Sequence, residues 1–243
     1  MEKAKKIKLF VGLFYLIFIS IFLYYFFSNF SLQEIKILTS YDFIKNNRDY
    51  LFELKNSNLL KLFSFFLIIT ILWVFPFLGF GSPIALVGGF LFGPWIGTLV
   101  VVLGLSTGAT FLYIFGNYFL KEFIRDKFLN KYQKFETKFK KSEFLYLLIY
   151  RFIGGIPWQL SCILPTIFNV KVKNFFLATL IGIVPQIFIV VSIGSGLEKI
   201  IDKNSEIPGI ADIIFTPNIY IPILAFLSFV LITIFFRKRF YGK

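Results

Sequence analysis

The chain has 243 residues, 57% of them hydrophobic and 21% aromatic, a composition typical of membrane proteins that cross the bilayer several times. Its formal charge of +13 is explained by contact with anionic lipid headgroups and by membrane topology rather than by nucleic-acid binding, because the basic residues lie at the ends of apolar runs. A single cysteine, Cys162, excludes an internal disulfide, and the lack of histidine removes the usual metal ligand, so we predict no metal site and no cofactor.

The first apolar run extends from Lys8 to Phe27, which is long enough to cross a membrane. We predict a membrane anchor rather than a cleavable signal peptide, since the run exceeds a signal peptide's apolar core and no small-residue cleavage pattern follows it. The lysines that precede it should remain cytoplasmic. Residues 28–58 mix balanced charges with apolar side chains, which predicts amphipathic helices on the membrane surface, with a solvated loop as the alternative.

The next apolar stretch, Leu59 to Phe92, is interrupted too often to be one plain membrane helix. Proline withholds a backbone donor and glycine loosens a helix, so protein or a water-filled cavity must cover the freed backbone groups. We therefore predict a re-entrant hairpin over residues 59–93, with a full crossing as the alternative. The residues that break it are Pro76, Gly79, Gly81, Pro83, Gly88, Gly89 and Gly93.

A clear membrane span follows at residues 95–116 and carries Gly104 and Gly108 four positions apart. Small residues at this spacing let another helix approach closely, so we predict a helix contact there. Residues 117–142 then carry eight basic and three acidic side chains, a net charge of +5. This excess predicts a cytoplasmic loop that forms a basic amphipathic helix, and a topology signal explains it better than headgroup binding does.

The stretch at residues 143–168 repeats the interrupted pattern and adds a charge, Arg151, just before the first break. A guanidinium at bilayer depth costs about 3 kcal/mol or more unless a partner or water meets it. We therefore predict a second re-entrant hairpin with a functional site near its tip. The alternative is a kinked span whose arginine reaches the membrane surface. The breaks are Gly154, Gly155, Pro157 and Pro165.

Two further spans follow, at residues 174–194 and 219–236. The first should be kinked, because Gly182 and Pro185 lie near its middle, beside Gln186. Acidic residues between the two spans suit an external loop, and the basic segment after the second span is predicted to be cytoplasmic. The chain then divides into an N-terminal part at 1–58, a core at 59–196 and a C-terminal part at 197–243.

The sides of the membrane provide a check, because every crossing reverses the side of the chain. If both interrupted stretches are re-entrant, all three basic regions fall in the cytoplasm; if residues 59–75 crossed, two of them would fall outside. We therefore predict an all-α multi-pass membrane protein with about four transmembrane helices and two opposed re-entrant hairpins that form an inverted repeat. Both termini should be cytoplasmic, and the heavy use of Lys, Asn, Ile and Phe favours a bacterial cytoplasmic membrane.

Two passages resemble the DedA superfamily, the VTT-domain or SNARE-associated Golgi membrane proteins. They are GSPIALVGGFLFGPWIGTLVVVLGLSTGATFLY from Gly81 and YRFIGGIPWQLSCILPTIFNVKVKNFFLATLIGIVP from Tyr150. The resemblance covers about residues 72–196 and is nearest to the branch with the Tvp and transmembrane-protein-64 proteins. The matching family positions are Gly88, Gly89, Phe90, Phe92 and Gly93, then Arg151 and Pro157, then Gly182 and Pro185. The chain departs from the family at Asn117, Gly154 and Cys162, where arginine, proline and asparagine are frequent.

The resemblance implies lipid handling, because relatives are described as lipid scramblases, as carriers of undecaprenyl phosphate or as proton-dependent transporters. On this chain it implies a headgroup site of Arg151, Gln159, Ser161 and Gln186 in a groove between the two hairpins. The alternative role of the two glutamines and the serine is helix packing.

A lipid transporter or scramblase for an anionic headgroup is the favoured function, with Arg151 as the charge that meets phosphate. A proton-coupled solute transporter is the alternative, but it normally uses a membrane-embedded carboxylate, and none stands between Glu53 and Glu122 or between Glu143 and Glu198. A scaffold or assembly protein is a third function. No enzyme activity is expected, because no nucleophile stands with a plausible base. The expected partners are membrane lipids, and self-association into a homo-oligomer is compatible with the sequence.

Overall fold

The computed structural model describes residues 2–28, 53, 58–123, 139–153 and 155–203, together with positions 215, 217, 220, 221, 224 and 228. Every regular element within these residues is helical and none is a strand, which confirms the predicted all-α class. Most of the predicted surface segment, much of the basic loop, Gly154, and most of the predicted external loop, last span and tail lie outside the described residues.

The described helices follow the apolar runs, and Leu59–Val74, Glu143–Ile153 and Val172–Gly182 end at or shortly before a glycine or proline. Asn58 caps the helix Leu59–Val74, because its side chain accepts a hydrogen bond from the Lys61 amide at 3.0 Å. The long helix Gly81–Phe119 contains one non-helical residue, Gly93, with φ +75°, and Pro94 then begins its second part. The elements are α1 Glu2–Ser28, α2 Leu59–Val74, α3 Gly81–Phe119, α4 Glu143–Ile153, α5 Trp158–Ile163, a 3₁₀ helix Leu164–Phe168, α6 Val172–Gly182 and α7 Val184–Lys203.

The chain forms two compact units, each assembled from two segments. The first contains Met1–Gly81 and Val100–Ile183, and the second contains Ser82–Leu99 and Val184–Lys243. The two arms of the predicted first hairpin therefore belong to different units, because α2 lies in the first and the start of α3 lies in the second.

In the first unit, two glycines on α3 leave space into which side chains of α2 pack. A β-carbon at Gly104 would lie 2.6 Å from Thr70, and one at Gly108 would lie 2.7 Å from Val74. Real side chains do not approach so closely, so glycine is what permits this contact. The same unit contains an apolar core around Tyr113, in which α3 meets α4, α5 and α6.

Glu143, the first residue of α4, links this helix to the start of α6. Its carboxylate accepts hydrogen bonds from the Lys171 amide at 2.8 Å and from the Asn174 side chain at 2.9 Å. Because α6 has no side-chain cap of its own, this carboxylate supplies an acceptor and a favourable negative charge at the start of the helix. The result is that α4 and α6 pack along each other and hold the Arg151 region between them.

In the second unit, the start of α3 packs directly on the backbone of α7. A β-carbon at Gly89 would overlap the Val191 carbonyl, and one at Gly194 would overlap the Leu86 carbonyl. The two glycines therefore allow contact between helix backbones, and the Trp95 ring packs at a tilt against that of Phe188.

Among the described residues, only α3 is by itself long and apolar enough to cross a membrane. The pair α6 and α7 meets the same criterion jointly and is bent by 45° at Ile183, next to Gly182. Helix α2 and the segment Trp158–Phe168 are apolar but shorter. The arrangement of four spans with two re-entrant hairpins stays a prediction.

Candidate functional site

Arg151 lies in the last turn of α4, immediately before the chain leaves the helix. Helix α4 ends at Ile153, Gly155 adopts φ +83°, and Pro157 precedes the first residue of α5. A positive φ suits glycine, and proline cannot donate to a continuing helix, so these residues explain why the backbone turns here. Arg151 is nevertheless only 4% exposed, which makes it the one buried side chain with a formal charge in the described part of the chain.

Three uncharged side chains accept hydrogen bonds from the Arg151 guanidinium. Nε donates to Thr179 Oγ1 at 3.0 Å, Nη1 to Ser161 Oγ at 2.6 Å and Nη2 to Cys162 Sγ at 3.5 Å. The partners on α5 and α6 are thus two hydroxyl groups and a thiol. The planar fork is therefore held at fixed positions by α5 and α6.

Gly182 determines how closely α6 approaches Arg151. A β-carbon at Gly182 would lie 2.6 Å from the Arg151 β-carbon, so any other residue would separate α6 from α4. Thr179 lies one turn earlier on α6 and is completely buried. The glycine thus has a packing role in addition to its place beside the bend, and that role brings the Thr179 hydroxyl within reach of Nε.

Aromatic rings surround the same guanidinium. The Arg151 Cζ atom lies 5.0 Å from the centre of the Phe175 ring, 5.2 Å from that of Trp158 and 5.9 Å from that of Tyr150. Ring faces attract a cation, by about 2 kcal/mol or more where water is excluded. The rings therefore stabilise a positive charge in a region that would otherwise disfavour it.

Gln159 joins the region of Arg151 to the turn between α2 and α3. Its side-chain nitrogen donates to the carbonyl of Leu78, a residue with φ +58°. Two more side chains satisfy carbonyl groups of this turn, since Trp73 donates to Phe80 at 2.7 Å and Tyr15 donates to Pro76 at 3.4 Å. Irregular backbone is costly in a membrane unless protein covers it, and these donors provide that cover.

The remaining predicted residues are distributed over both units. Ser161 lies at the guanidinium, while Gln186 lies half-buried on α7 in the second unit. Pro76 and Gly79 lie in the turn after α2, Gly81 and Pro83 begin α3, and Pro165 lies in the 3₁₀ helix. Sequence reasoning did not find Thr179 or Phe175, because nothing in their own segment indicates the arginine 28 and 24 residues earlier. The only local signal for Thr179 was its position one turn before Gly182.

Comparisons with known proteins place the chain among membrane proteins. Residues 75–196, half of the chain, match the family model described as the VTT domain. The chain is 27% identical over 120 residues to the "Transmembrane protein 41 homolog" of Caenorhabditis elegans, which is 48% of this chain and 49% of that protein. It is 31% identical over 124 residues to "Uncharacterized protein YqeD" of Bacillus subtilis, which is 50% of this chain and 59% of that protein. The chain therefore spans only about half to three-fifths of these relatives. No solved structure matches it significantly.

Proposed function

Since the chain belongs to the VTT-domain, or DedA, family of membrane proteins, we propose that it moves phosphate-bearing lipids between the two leaflets of the cytoplasmic membrane. Phospholipid and undecaprenyl phosphate are the two lipid classes we propose. The protein would act without chemical conversion of the lipid, as a transporter or scramblase, with both termini in the cytoplasm.

The observation that carries the proposal is the burial of Arg151 beside broken backbone. The hydroxyl groups of Thr179 and Ser161 accept hydrogen bonds from the guanidinium and carry no negative charge themselves. A phosphate headgroup supplies negative charge and acceptor oxygens, and the planar fork of arginine matches that geometry. The break between α4 and α5 then places this charge where a headgroup could leave water while its acyl chains remain in lipid.

The surroundings of Arg151 support movement of the lipid rather than permanent binding. Its polar partners lie on α5 and α6, inside an apolar unit, so the headgroup would meet a short polar region instead of crossing hydrocarbon unaided. We propose that the turn after α2 and the interrupted segment at residues 143–168, which both belong to the first unit, form the groove that shelters the headgroup. Gln159, which bonds the turn after α2, would hold the two segments together at one point.

The test is reconstitution of the purified chain in liposomes that contain a fluorescent phospholipid in both leaflets. Dithionite added outside destroys only the accessible fluorophore, so a scramblase raises the lost fraction from about one half towards completeness. A second set of liposomes contains a polyprenyl phosphate, whose exposure is followed with a membrane-impermeant phosphatase. We expect faster exposure of at least one phosphate-bearing lipid than in protein-free liposomes.

Two controls decide the outcome. Retention of an encapsulated water-soluble dye tests whether movement reflects general disturbance of the bilayer. The variant Lys141→Ala, which removes an exposed charge instead of the buried one, tests whether any loss of positive charge matters. If phosphate-bearing lipids move no faster than in protein-free liposomes, the proposed function is wrong.

A further inference from the structure

We propose that the indole N–H of Trp158 and the hydroxyl of Tyr150 donate hydrogen bonds to the phosphate oxygens of the headgroup, as further contacts of the Arg151 site. This inference rests on the proposed function and deepens it, because it separates the side chains that meet the ligand from those that hold the arginine. Ser161 and Gln159, which the sequence placed in contact with the headgroup, become positioning residues.

The hydrogen bonds of Ser161 and Gln159 are already directed inside the protein. The Ser161 oxygen accepts from Arg151 at 2.6 Å while its hydroxyl donates to the Trp158 carbonyl at 2.7 Å. A hydroxyl has one hydrogen to donate, so Ser161 has none for a ligand in this arrangement. The Gln159 amide donates one of its two hydrogens to the Leu78 carbonyl, which fixes its side chain on the turn after α2. Both residues therefore orient other parts of the site.

Two other polar atoms beside Arg151 are in the opposite situation. Tyr150 Oη and Trp158 Nε1 are both buried, and neither has a hydrogen-bond partner among the described residues. Buried polar groups are nearly always hydrogen-bonded, because leaving one unsatisfied costs stability. An indole N–H can only donate, so its partner must be an acceptor. A tyrosine hydroxyl can also donate, so a ligand with several acceptor oxygens can satisfy both atoms.

The rings that carry these donors face the same positive charge. The centres of the Trp158 and Tyr150 rings lie 5.2 and 5.9 Å from the Arg151 Cζ atom, respectively. An acceptor that enters this neighbourhood gains from negative charge as well as from the two donors. A phosphate oxyanion has both properties, since it is charged and has several acceptor oxygens. An ammonium group or a neutral glycerol hydroxyl lacks the negative charge.

Two substitutions separate the donors from the rings. Trp158→Phe keeps an aromatic face near the guanidinium and removes the N–H, and Tyr150→Phe removes only the hydroxyl. The matched control is Trp95→Phe, which alters an exposed tryptophan of the second unit. Thermal unfolding of each variant reports whether the fold is retained, and a retained fold is expected because each change removes a buried, unsatisfied polar atom.

The measurement uses the full chain in maltoside micelles, which contain no phosphate, and two probes, dihexanoyl phosphatidic acid and inorganic phosphate. The chain has three tryptophans, so its indole N–H signals are few in a nitrogen-15 NMR spectrum, and the Trp158 signal is the one that Trp158→Phe abolishes. We expect phosphatidic acid to shift this signal downfield, whereas dihexanoyl glycerol leaves it unchanged. Each phenylalanine variant should weaken binding of phosphatidic acid about tenfold or more, and Trp95→Phe should not.

The outcomes distinguish this inference from the proposed function. If inorganic phosphate binds as tightly as dihexanoyl phosphatidic acid, a free anion is also a ligand of the site. If inorganic phosphate binds much more weakly, the ligand is a lipid headgroup. Both results agree with the assignment of the two donors. If Arg151→Ala loses phosphatidic acid while both phenylalanine variants bind it normally, the donor assignment is wrong and the proposed function stands. An indole signal that no phosphate probe moves would also overturn the assignment. If the wild-type chain neither binds nor moves phosphate-bearing lipid, the proposed function fails and the assignment fails with it.

Discussion

Arg151 shows at the scale of one residue why geometry matters as much as charge. Its Nε and Nη1 atoms donate to hydroxyl groups on two different elements, and three aromatic rings lie within 6 Å of its Cζ atom. A lysine would keep the positive charge, but its ammonium is a compact group that cannot reproduce a planar fork. The position therefore tests whether the site requires a cation or a guanidinium.

We expect Arg151→Lys to lower lipid transport about tenfold or more and Arg151→Ala to abolish it, with both variants still folded and inserted. The measurement is the liposome assay, with melting temperature as the control for folding. Transport by folded Arg151→Ala at the wild-type rate would show that Arg151 is a structural residue.

The sequence indicated some of these residues and not others, for a physical reason. Arg151 could be found because a charge in an apolar run has a high cost wherever the chain folds. Thr179 could not, because hydroxyl groups are common in membrane helices and its importance arises only when Gly182 brings α6 against α4. The role of Trp158 could not be found either, since the burial of its N–H depends on tertiary packing.

The interrupted elements follow from local chemistry that can be read in the sequence. Helix α2 ends before Pro76, and the backbone leaves α4 before Gly155 and Pro157, because these residues disfavour a continuing helix. What local chemistry does not reveal is the partner of each arm. The two arms of the predicted hairpin at residues 59–93, for example, belong to different compact units.

Two glycines on α3 allow a prediction about helix packing. A β-carbon at Gly108 would meet Val74 at 2.7 Å, whereas one at Gly116 would meet its nearest neighbour at an ordinary 3.4 Å. We expect Gly108→Ala to lower the free energy of unfolding by about 1–3 kcal/mol, because α2 must move away. Gly116→Ala should be neutral or slightly stabilising, since alanine favours a helix by about 1 kcal/mol relative to glycine.

Thermal unfolding in detergent measures this difference, and the two variants change the same helix by the same methyl group. Equal melting temperatures for the two variants would mean that the contact between α2 and α3 contributes little to stability.

At the scale of the whole molecule, the number of crossings decides the architecture. The α-helical class and membership of a membrane protein family are established, whereas the side of each loop rests on the distribution of charge. This distribution can be read from the sequence, because lysine and arginine are counted directly. The sequence does not show whether each apolar run crosses the membrane, since the length of α2 is compatible both with a crossing and with a re-entrant arm.

Cysteine labelling tests the topology. We expect Asn58→Cys to react with an impermeant maleimide from outside the cell and Lys141→Cys to react only from the cytoplasm, because a re-entrant α2 leaves one crossing between them. Both positions are exposed. The background is Cys162→Ser, which removes the native thiol and retains an acceptor for Arg151. Labelling of both positions from the same side would refute the two re-entrant hairpins and the inverted repeat.

The glycine contacts of the second unit restrict how that unit can move. Gly89 meets the Val191 carbonyl and Gly194 meets the Leu86 carbonyl, so each helix carries its glycine opposite the backbone of the other. A shift of α7 along α3 by one residue in either direction would place Ile193 or Ser195 opposite the Leu86 carbonyl, where a β-carbon does not fit. We therefore expect residues 82–92 to move together with the facing part of α7.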